Sequence, residues 1–411
     1  MAERQNPFKS FWMGGFECAD QLNYYGDRVD FLNITAHLDF IRADYELLKT
    51  YNIRTVREGI RWSKVEIKPY QYDFSIVREM MQAGKECGMQ QLWDICHFGY
   101  PDDMSPLHPH FTRRFVALCK AFANFYRSVE PDLPLIVTPI NEVSFLSWLG
   151  GEAIGTVPYC RNNGWEVKYR LMQAYIVGVA ALKEVDPRIR ILTTEPLISI
   201  VPRINATEEE VEKAWEEHIV QYQSVDMLCG KICPELGGKP EYLDILGFNF
   251  YYNNEWESGT HAYLGWNDQI MDPRWRSLSD LMKEAHRRYN LPVVLTETSH
   301  PTEDRPIWIN HVGIETGKLL EENIPFWGVC YYPIIDRPDW DHLHQWHHSG
   351  IWDMHPLTDV SKRILHEPSA AALLKAQSDV SEVMKSAKNQ KTYKSASTEN
   401  VQPEEEQVLV G

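Results

Sequence analysis

Apolar residues along the chain gather in short, nearly continuous runs that are separated by longer stretches of mixed character. In most of these runs successive positions are apolar, which is typical of strands that are buried on both faces of a parallel sheet. The eight clearest runs are residues 11–19, 53–60, 91–98, 135–141, 189–195, 243–251, 292–299 and 326–335. This pattern predicts eight parallel strands.

Between the runs, apolar residues recur at spacings of three and four, which places them on one face of a helix. The clearest case is Phe111, Phe115, Leu118, Phe122 and Phe125. Similar patterns occupy residues 38–48, 77–87, 167–185, 211–228, 278–289 and 312–321. Eight strands that alternate with helices predict an α/β protein with a single domain, a (β/α)₈ TIM barrel.

A doubly wound sheet is the competing α/β architecture. It usually has fewer strands and a glycine-rich phosphate loop after the first of them. Residues 13–16 read MGGF and lack the GxGxxG spacing of that loop. The barrel is therefore favoured.

The last part of the chain has a different composition. All 14 tryptophans lie at or before Trp352, and residues 378–411 are mostly polar. Such a segment buries too little apolar surface to offset its ordering entropy. We therefore expect the barrel to occupy residues 1–377 and residues 378–411 to form a disordered tail.

Charge and composition narrow the function. The chain has 41 Lys and Arg against 58 Asp and Glu, a net charge of −17, which disfavours nucleic acid and anionic membranes as partners. No run of eighteen apolar residues occurs, and no apolar stretch follows the basic residues near the N-terminus. Eight scattered cysteines are typical of buried thiols in a reducing compartment. Together these features predict a cytoplasmic protein.

Two glutamates end predicted strands on opposite sides of the barrel mouth, where TIM-barrel enzymes hold their active sites. Glu142 follows the fourth run, and Glu297 lies at the end of the seventh. One neutral and one ionised carboxyl are what glycoside cleavage needs, and a gap of about 5 Å between them gives retention. We expect Arg57 and Tyr251 to stabilise the charge of Glu297, and burial to keep Glu142 protonated.

Several short segments, in order along residues 11–353, resemble the motifs of one enzyme family. The chain resembles the clan A glycoside hydrolases, and most specifically glycoside hydrolase family 1, the β-glucosidase and β-galactosidase family. It departs from the family's motifs at Val143, Thr298, Ser299 and Asp339, and so resembles an atypical member. The segments are 57–64 (REGIRWSK), 97–101 (HFGYP), 141–142 (NE), 247–251 (GFNFY), 296–297 (TE), 327–340 and 349–351 (SGI).

The resemblance implies a retaining exo-β-glycosidase that acts on neutral sugars and needs no cofactor or metal. Glu142 would be the general acid and base, Glu297 the nucleophile, and Asn141 the contact to the sugar's 2-hydroxyl. The other implied contacts to a small carbohydrate or glycoside are Gln21, His97, Asn249, Trp327, Asp339 and Trp340.

Alternative functions stay open at this point. One is a different clan A hydrolase with endo action, and another is a catalytically silent barrel that binds sugar. A metal-dependent hydrolase is suggested by His342, His344, His347 and His348, which lie near carboxylates. The H-x-H of such barrels normally ends the first strand, where this chain has Asp20, so we interpret the histidine segment as a pocket loop without metal. The sugar epimer, the aglycone, the linkage and the oligomeric state are left open.

Overall fold

The computed structural model describes residues 5–355 and 359–398. Its strands are β1 (Trp12–Gly15), β2 (Thr55–Gly59), β3 (Glu66–Lys68), β4 (Gln71–Tyr72), β5 (Gln90–Cys96), β6 (Ile136–Ile140), β7 (Arg190–Ile191), β8 (Glu195–Pro196), β9 (Ser199–Val201), β10 (Leu246–Asn249), β11 (Glu255–Glu257), β12 (Val293–Thr298), β13 (Phe326–Tyr331), β14 (Trp352–His355) and β15 (Asp359–Leu365).

The helices follow the strands with the alternation that the sequence predicts. They are α1 (Phe31–Ile34), α2 (His37–Thr50), α3 (Trp62–Val65), α4 (Ser75–Cys87), α5 (Phe111–Val129), α6 (Val143–Gly151), α7 (Gly164–Val185), α8 (Glu208–Ile219), α9 (Gln223–Leu228), α10 (Leu278–Tyr289), α11 (Arg305–Glu321) and α12 (Glu367–Thr398). Each helical pattern read from the sequence lies on one or two of these helices.

The main sheet is a closed barrel of parallel strands. Its order is β7-β6-β5-β2-β1-β13-β12-β10-β8. The first and last members, β7 and β8, are two pieces of one extended segment, residues 190–196. The ring closes because Leu192 pairs with Ile245 next to β7, and Glu195 of β8 pairs with Phe248 of β10. The predicted eight-stranded (β/α)₈ barrel is confirmed, with its fifth strand in two segments.

The hydrophobic core is divided by the barrel wall. A smaller cluster fills the barrel itself, as expected for a TIM barrel whose interior is packed with side chains. A larger cluster lies between the strands and the surrounding helices. The smaller cluster consists of Met13, Leu92, Ile136, Leu192, Ile245, Val294, Trp327 and Cys330.

The helices pack through the apolar faces that their sequence spacing predicts. Phe115 and Phe122 of α5 are fully buried. Helix α7 approaches α5 closely at Gly178, where an added Cβ would lie 2.9 Å from Cε1 of Phe115. A larger residue there would push the two helices apart. The structure describes no helix with both the length and the apolarity to cross a bilayer.

The C-terminal helix departs from the predicted tail boundary. The sequence places the start of a disordered tail at residue 378, whereas α12 continues through Thr398. Leu373, Ala376 and Val380 are buried in the core, and an added Cβ at Gly313 of α11 would lie 2.8 Å from Cβ of Ala376. Apolar residues at spacings of three and four thus carry the helix past the predicted boundary. Residues 399–411 lie outside the described part of the chain.

Candidate active site

Glu297 lies near the C-terminal end of β12 with both carboxylate oxygens bound. Arg57 Nη1 donates to Oε1 at 2.8 Å, and the Tyr251 hydroxyl donates to Oε2 at 2.8 Å. The carboxyl group is almost completely buried. Two charge-stabilising donors on opposite oxygens fix its orientation at the barrel mouth.

Glu142 follows β6 and precedes α6. Its backbone is in the left-handed region, with φ at 43°, which is uncommon for a residue other than glycine. Asn249 Nδ2 donates to its Oε1 at 2.8 Å. Burial, and then the nearby charge of Glu297, raise the pKa of Glu142 well above the usual carboxyl value. The two glutamates therefore have opposite electrostatic environments.

A third glutamate fixes the backbone next to Glu142. The carboxylate of Glu195, in β8, accepts hydrogen bonds from the backbone N–H groups of Val143 at 2.8 Å and Ser144 at 3.1 Å. These are unpaired donors in the first turn of α6, where an anion is also favoured by the helix dipole. The cap holds the start of α6 and, with it, the unusual backbone of Glu142.

Below the two glutamates, one arginine joins three strand ends. Arg57 Nη2 donates to Asp94 Oδ2 at 2.6 Å and to Asn141 Oδ1 at 3.1 Å. His97 Nδ1 donates to the same Asp94 oxygen at 2.9 Å, and its Nε2 lies 3.2 Å from Asn141 Nδ2. Burial opposes protonation of His97, but its bond to Asp94 and the negative charges of Glu17, Asp94 and Glu297 together outweigh burial and raise its pKa.

Tyr332, directly after β13, belongs to the site although the sequence analysis does not identify it. Its ring stacks on His97 with centroids 5.7 Å apart, and the guanidinium carbon of Arg57 lies 5.1 Å from its centroid. Its hydroxyl donates to Glu17 Oε1 at 3.1 Å. A tyrosine that follows a buried strand and precedes proline is the only sequence signal for it.

Two predicted sugar contacts present free polar atoms. Gln21 is 1% exposed, and its Oε1 has no hydrogen-bond partner among the described residues. The same holds for the indole nitrogen of Trp340, whose ring packs on Phe98 and Phe145 at centroid distances of 5.6 and 5.9 Å. A buried acceptor and a buried donor without protein partners suit the hydroxyl groups of a sugar.

The interpretation of Trp327 as a sugar platform is wrong. Trp327 is the second residue of β13 and belongs to the cluster inside the barrel, whereas the site residues lie at the opposite strand ends. Trp327 lies five positions before Tyr332, a distance of about 16 Å along an extended chain. Tyr332, which directly follows β13, and not Trp327, places an aromatic ring at the mouth.

Asp339 is held within its own loop. Its Oδ1 accepts hydrogen bonds from the backbone of Asp341 and His342, both at 2.9 Å. His342 Nδ1 lies 3.2 Å from Oδ1, and His347 Nε2 lies 3.5 Å from Oδ2. The aspartate thus organises residues 339–348, the histidine-rich loop. Its predicted contact to a sugar hydroxyl stays a prediction.

One group beside the pocket has the residue types of a metal site. Cys18 Sγ lies 3.3 Å from His97 Nδ1 and 3.9 Å from Asp94 Oδ2. Burial raises the pKa of the Cys18 thiol well above its usual range, which disfavours the thiolate that a metal needs. Asp94 Oδ2 already accepts hydrogen bonds from Arg57 Nη2 at 2.6 Å and from His97 Nδ1 at 2.9 Å, so two of the three candidate ligand atoms are bonded to each other. The group therefore fits a hydrogen-bond network better than a metal ion.

Known structures share the fold over most of the chain. A family 1 β-glucosidase from Thermotoga maritima is similar with a TM-score of 0.71 and 14% identity, over 92% of this chain and 98% of that one. A β-glycosidase from Pyrococcus horikoshii gives 0.68 and 15%, over 92% and 96%. The virulence factor SghA, in complex with its substrate analogue salicin, gives 0.67 and 16%, over 83% and 86%.

These likenesses confirm that the chain has the fold of the family that its motifs resemble. No protein-family model and no curated protein sequence matches the chain. At such low identity the likeness establishes the fold alone.

Proposed function

We propose that the protein is a retaining exo-β-glycosidase that hydrolyses β-glycosides of neutral sugars. The observation that carries the proposal is the difference between Glu142 and Glu297 at one barrel mouth. Glu297 receives hydrogen bonds from an arginine and a tyrosine, whereas burial and a neighbouring negative charge favour the protonated form of Glu142. One nucleophilic carboxylate and one carboxylic acid are the pair that double displacement needs.

In the first step, a carboxylate oxygen of Glu297 attacks the anomeric carbon and forms a glycosyl ester. The bond between that carbon and the leaving oxygen breaks, and the leaving oxygen takes the proton of Glu142. In the second step, a water molecule gives a proton to the ionised Glu142 and attacks the same carbon. The ester bond breaks, Glu297 regains its negative charge, and the sugar leaves with its original configuration.

The surrounding residues support sugar binding at a pocket. Gln21 and Trp340 offer an acceptor and a donor that have no partner among the described residues, and the Trp340 ring packs on Phe98, which follows β5. We expect the loop that carries Trp340 to close one side of the pocket, which would favour exo action at a chain end. We expect Glu195 to act as a positioning residue, because it holds the turn that carries Glu142.

The test measures hydrolysis of nitrophenyl α- and β-glycosides by three variants. Glu297→Ala should lose all turnover. Glu142→Ala should lose activity on poor leaving groups and retain it on good ones, because these need little protonation. Glu303→Ala, at an exposed glutamate, is the matched control and should behave as wild type.

Three results would contradict the proposal. Turnover by Glu297→Ala at the wild-type rate would remove its central residue. Activity on polysaccharides but not on aryl glycosides would indicate endo action. Binding of sugars without hydrolysis of any glycoside would indicate a silent barrel.

A further inference from the structure

A second cluster of acidic and histidine side chains lies where the histidine-rich loop returns to the barrel. His348 Nδ1 is 3.6 Å from Asp336 Oδ2 and 3.7 Å from Asp353 Oδ1. Asp336 follows β13, His348 ends the loop, and Asp353 lies in β14. All three ligand atoms lie within 4.8 Å of one another. The cluster shares no residue with the proposed catalytic pair.

Asp336 is the unusual member of this cluster. Its side chain is 0% exposed, and Oδ2, the atom that faces His348, has no hydrogen-bond partner within the described ranges. Its other oxygen accepts from the backbone N–H of Ser349 at 3.0 Å. A buried carboxylate oxygen aimed at a histidine needs a cation or a proton.

The charged side chains around the cluster have a net negative charge, which favours a bound cation. Arg305 Nη1 donates to Asp353 Oδ1 at 2.7 Å, and its Nη2 to Oδ2 at 3.2 Å. This guanidinium compensates Asp353 and orients it, as partners of metal-binding carboxylates do. With Asp336 and Asp353 ionised and Arg305 protonated, one negative charge is uncompensated. A divalent ion would reverse that excess.

The distances match those between ligands of one metal. Two ligands on bonds of about 2.0–2.2 Å, arranged tetrahedrally, are roughly 3.3–3.6 Å apart. The separations of 3.6 and 3.7 Å around His348 Nδ1 need only small side-chain adjustments. One imidazole and two carboxylates favour zinc over magnesium or calcium, which bind oxygen alone. The His348 side chain is 51% exposed, which gives an ion a path of entry.

We propose that Asp336, His348 and Asp353 form a structural site for Zn²⁺ or a similar divalent transition metal. The ion would tie the end of the histidine-rich loop to β14, and water would complete its coordination. The backbone of His348 is already fixed, because its carbonyl accepts from the N–H of Thr302 at 2.8 Å. The proposal does not depend on glycosidase activity.

The test titrates Zn²⁺ into the full chain after treatment with chelator, by calorimetry. Wild type should bind one equivalent of Zn²⁺ at the cluster of Asp336, His348 and Asp353. His348→Ala should weaken that binding by at least about tenfold, because it removes a ligand. His344→Ala is the matched control, because His344 is an exposed histidine of the same loop outside the cluster. It should bind as wild type does. Asp353→Asn should resemble His348→Ala.

A second measurement uses Co²⁺ as a coloured substitute for zinc. Wild type and His344→Ala should give visible absorption bands of a bound ion, and His348→Ala should lose them. Added Zn²⁺ should raise the midpoint of thermal unfolding of wild type and His344→Ala but not of His348→Ala. Absence of binding, or binding that His348→Ala leaves undiminished, would overturn the proposal, and so would loss of binding in His344→Ala.

Discussion

Two neighbouring residues of β2 serve two different buried charge clusters. Successive side chains of a strand point to opposite faces, so Arg57 points to the barrel mouth and Glu58 to the layer between barrel and helices. The mouth cluster is formed around Arg57 by Asp94, Glu297 and Glu142. The outer cluster joins Glu58 with His37, Asp44, Tyr45 and Arg363.

The outer cluster is balanced. His37 Nδ1 donates to Asp44 Oδ2 at 2.7 Å, and Nε2 donates to Glu58 Oε1 at 3.1 Å. Arg363 donates to both oxygens of Asp44, at 2.7 and 2.9 Å. Burial opposes protonation of His37, but the charge of Glu58 and the bonds to both carboxylates raise its pKa to about 9. Two positive groups therefore face two negative ones.

The mouth cluster is unbalanced. Arg57 bridges Asp94 and Glu297, and Glu142 is left to the amide of Asn249. Burial, and then the excess of carboxyl groups, raise the pKa of Glu142 and so favour a protonated carboxyl beside an anionic one. A balanced buried cluster stabilises the fold, whereas an incompletely balanced one keeps carboxyl groups with different protonation tendencies side by side, as active sites do.

The largest effects should follow from removal of the central arginine of each cluster. Arg57→Met and Arg363→Met should each lower the free energy of unfolding by about 3–5 kcal/mol, because each removes a guanidinium from the buried carboxylate that it compensates. Only Arg57→Met should abolish glycosidase activity in the molecules that remain folded. Chemical unfolding and kcat/KM on an aryl glycoside measure both quantities. Loss of activity in folded Arg363→Met would contradict the distinction between a cluster needed for activity and one needed only for stability.

The second effect is a pH dependence of stability that comes from His37. Its folded pKa of about 9 lies above the usual value of 6.5, so its contribution is complete below about pH 6.5 and is lost as pH rises through 9. Between these values the loss should be on the order of 3 kcal/mol. His37→Gln should remove that part of the slope. An unchanged slope in the variant would show that other groups cause it.

A matched pair of tyrosines, one in each cluster, distinguishes the two clusters, and the expected effects of their substitution are smaller. The Tyr251 hydroxyl donates to Glu297 at 2.8 Å, and the Tyr45 hydroxyl donates to Glu58 at 2.6 Å. Tyr45→Phe should cost about 1–3 kcal/mol of stability with kcat unchanged, because a buried charged acceptor loses its donor. Tyr251→Phe should lower kcat by about 10- to 100-fold, the equivalent of 1.4–2.7 kcal/mol in the barrier. Equal effects on kcat would contradict the account.

The smallest effect concerns Glu142 itself. Its folded pKa is raised, so the wild type loses stability as pH rises through that pKa. Glu142→Gln keeps an acceptor for Asn249 and carries no charge, and should raise stability at alkaline pH more than at acidic pH. Glu58→Gln should have the opposite sign, because it removes a partner of protonated His37. Calorimetric unfolding across pH distinguishes them.

The fold could be predicted because each barrel strand lies within an apolar run that can be recognised in the sequence. Glu142 and Glu297 were also predictable as residues at the ends of such runs. Their protonation tendencies depend on Asn249, Arg57 and Tyr251, which come from distant parts of the chain. Arg57 and Tyr251 were expected to stabilise Glu297, whereas Asn249 was expected as a sugar contact, and its bond to Glu142 is formed only when the barrel closes.

The features that the sequence did not predict correctly also have physical explanations. Trp327 and Tyr332 are both aromatic residues of one apolar run, and only the start of β13 at Phe326 shows which of them reaches the mouth. The cap that Glu195 provides was not predictable, because its donors are backbone groups of a helix some fifty residues earlier in the chain. Likewise, the continuation of α12 past residue 378 was not predicted, because the composition there is mostly polar and the few buried apolar residues, such as Val380, are not conspicuous in it.

The most direct test of the central claim is capture of the glycosyl ester. A 2-deoxy-2-fluoro β-glycoside with a good leaving group slows both steps, because fluorine destabilises the oxocarbenium-like transition states, but hydrolysis of the ester slows more than its formation. Mass spectrometry of the intact protein and its peptides should show one sugar bound to Glu297 in wild type and none in Glu297→Ala. A sugar on another residue, or no adduct while an aryl β-glycoside is hydrolysed with inversion, would contradict the account.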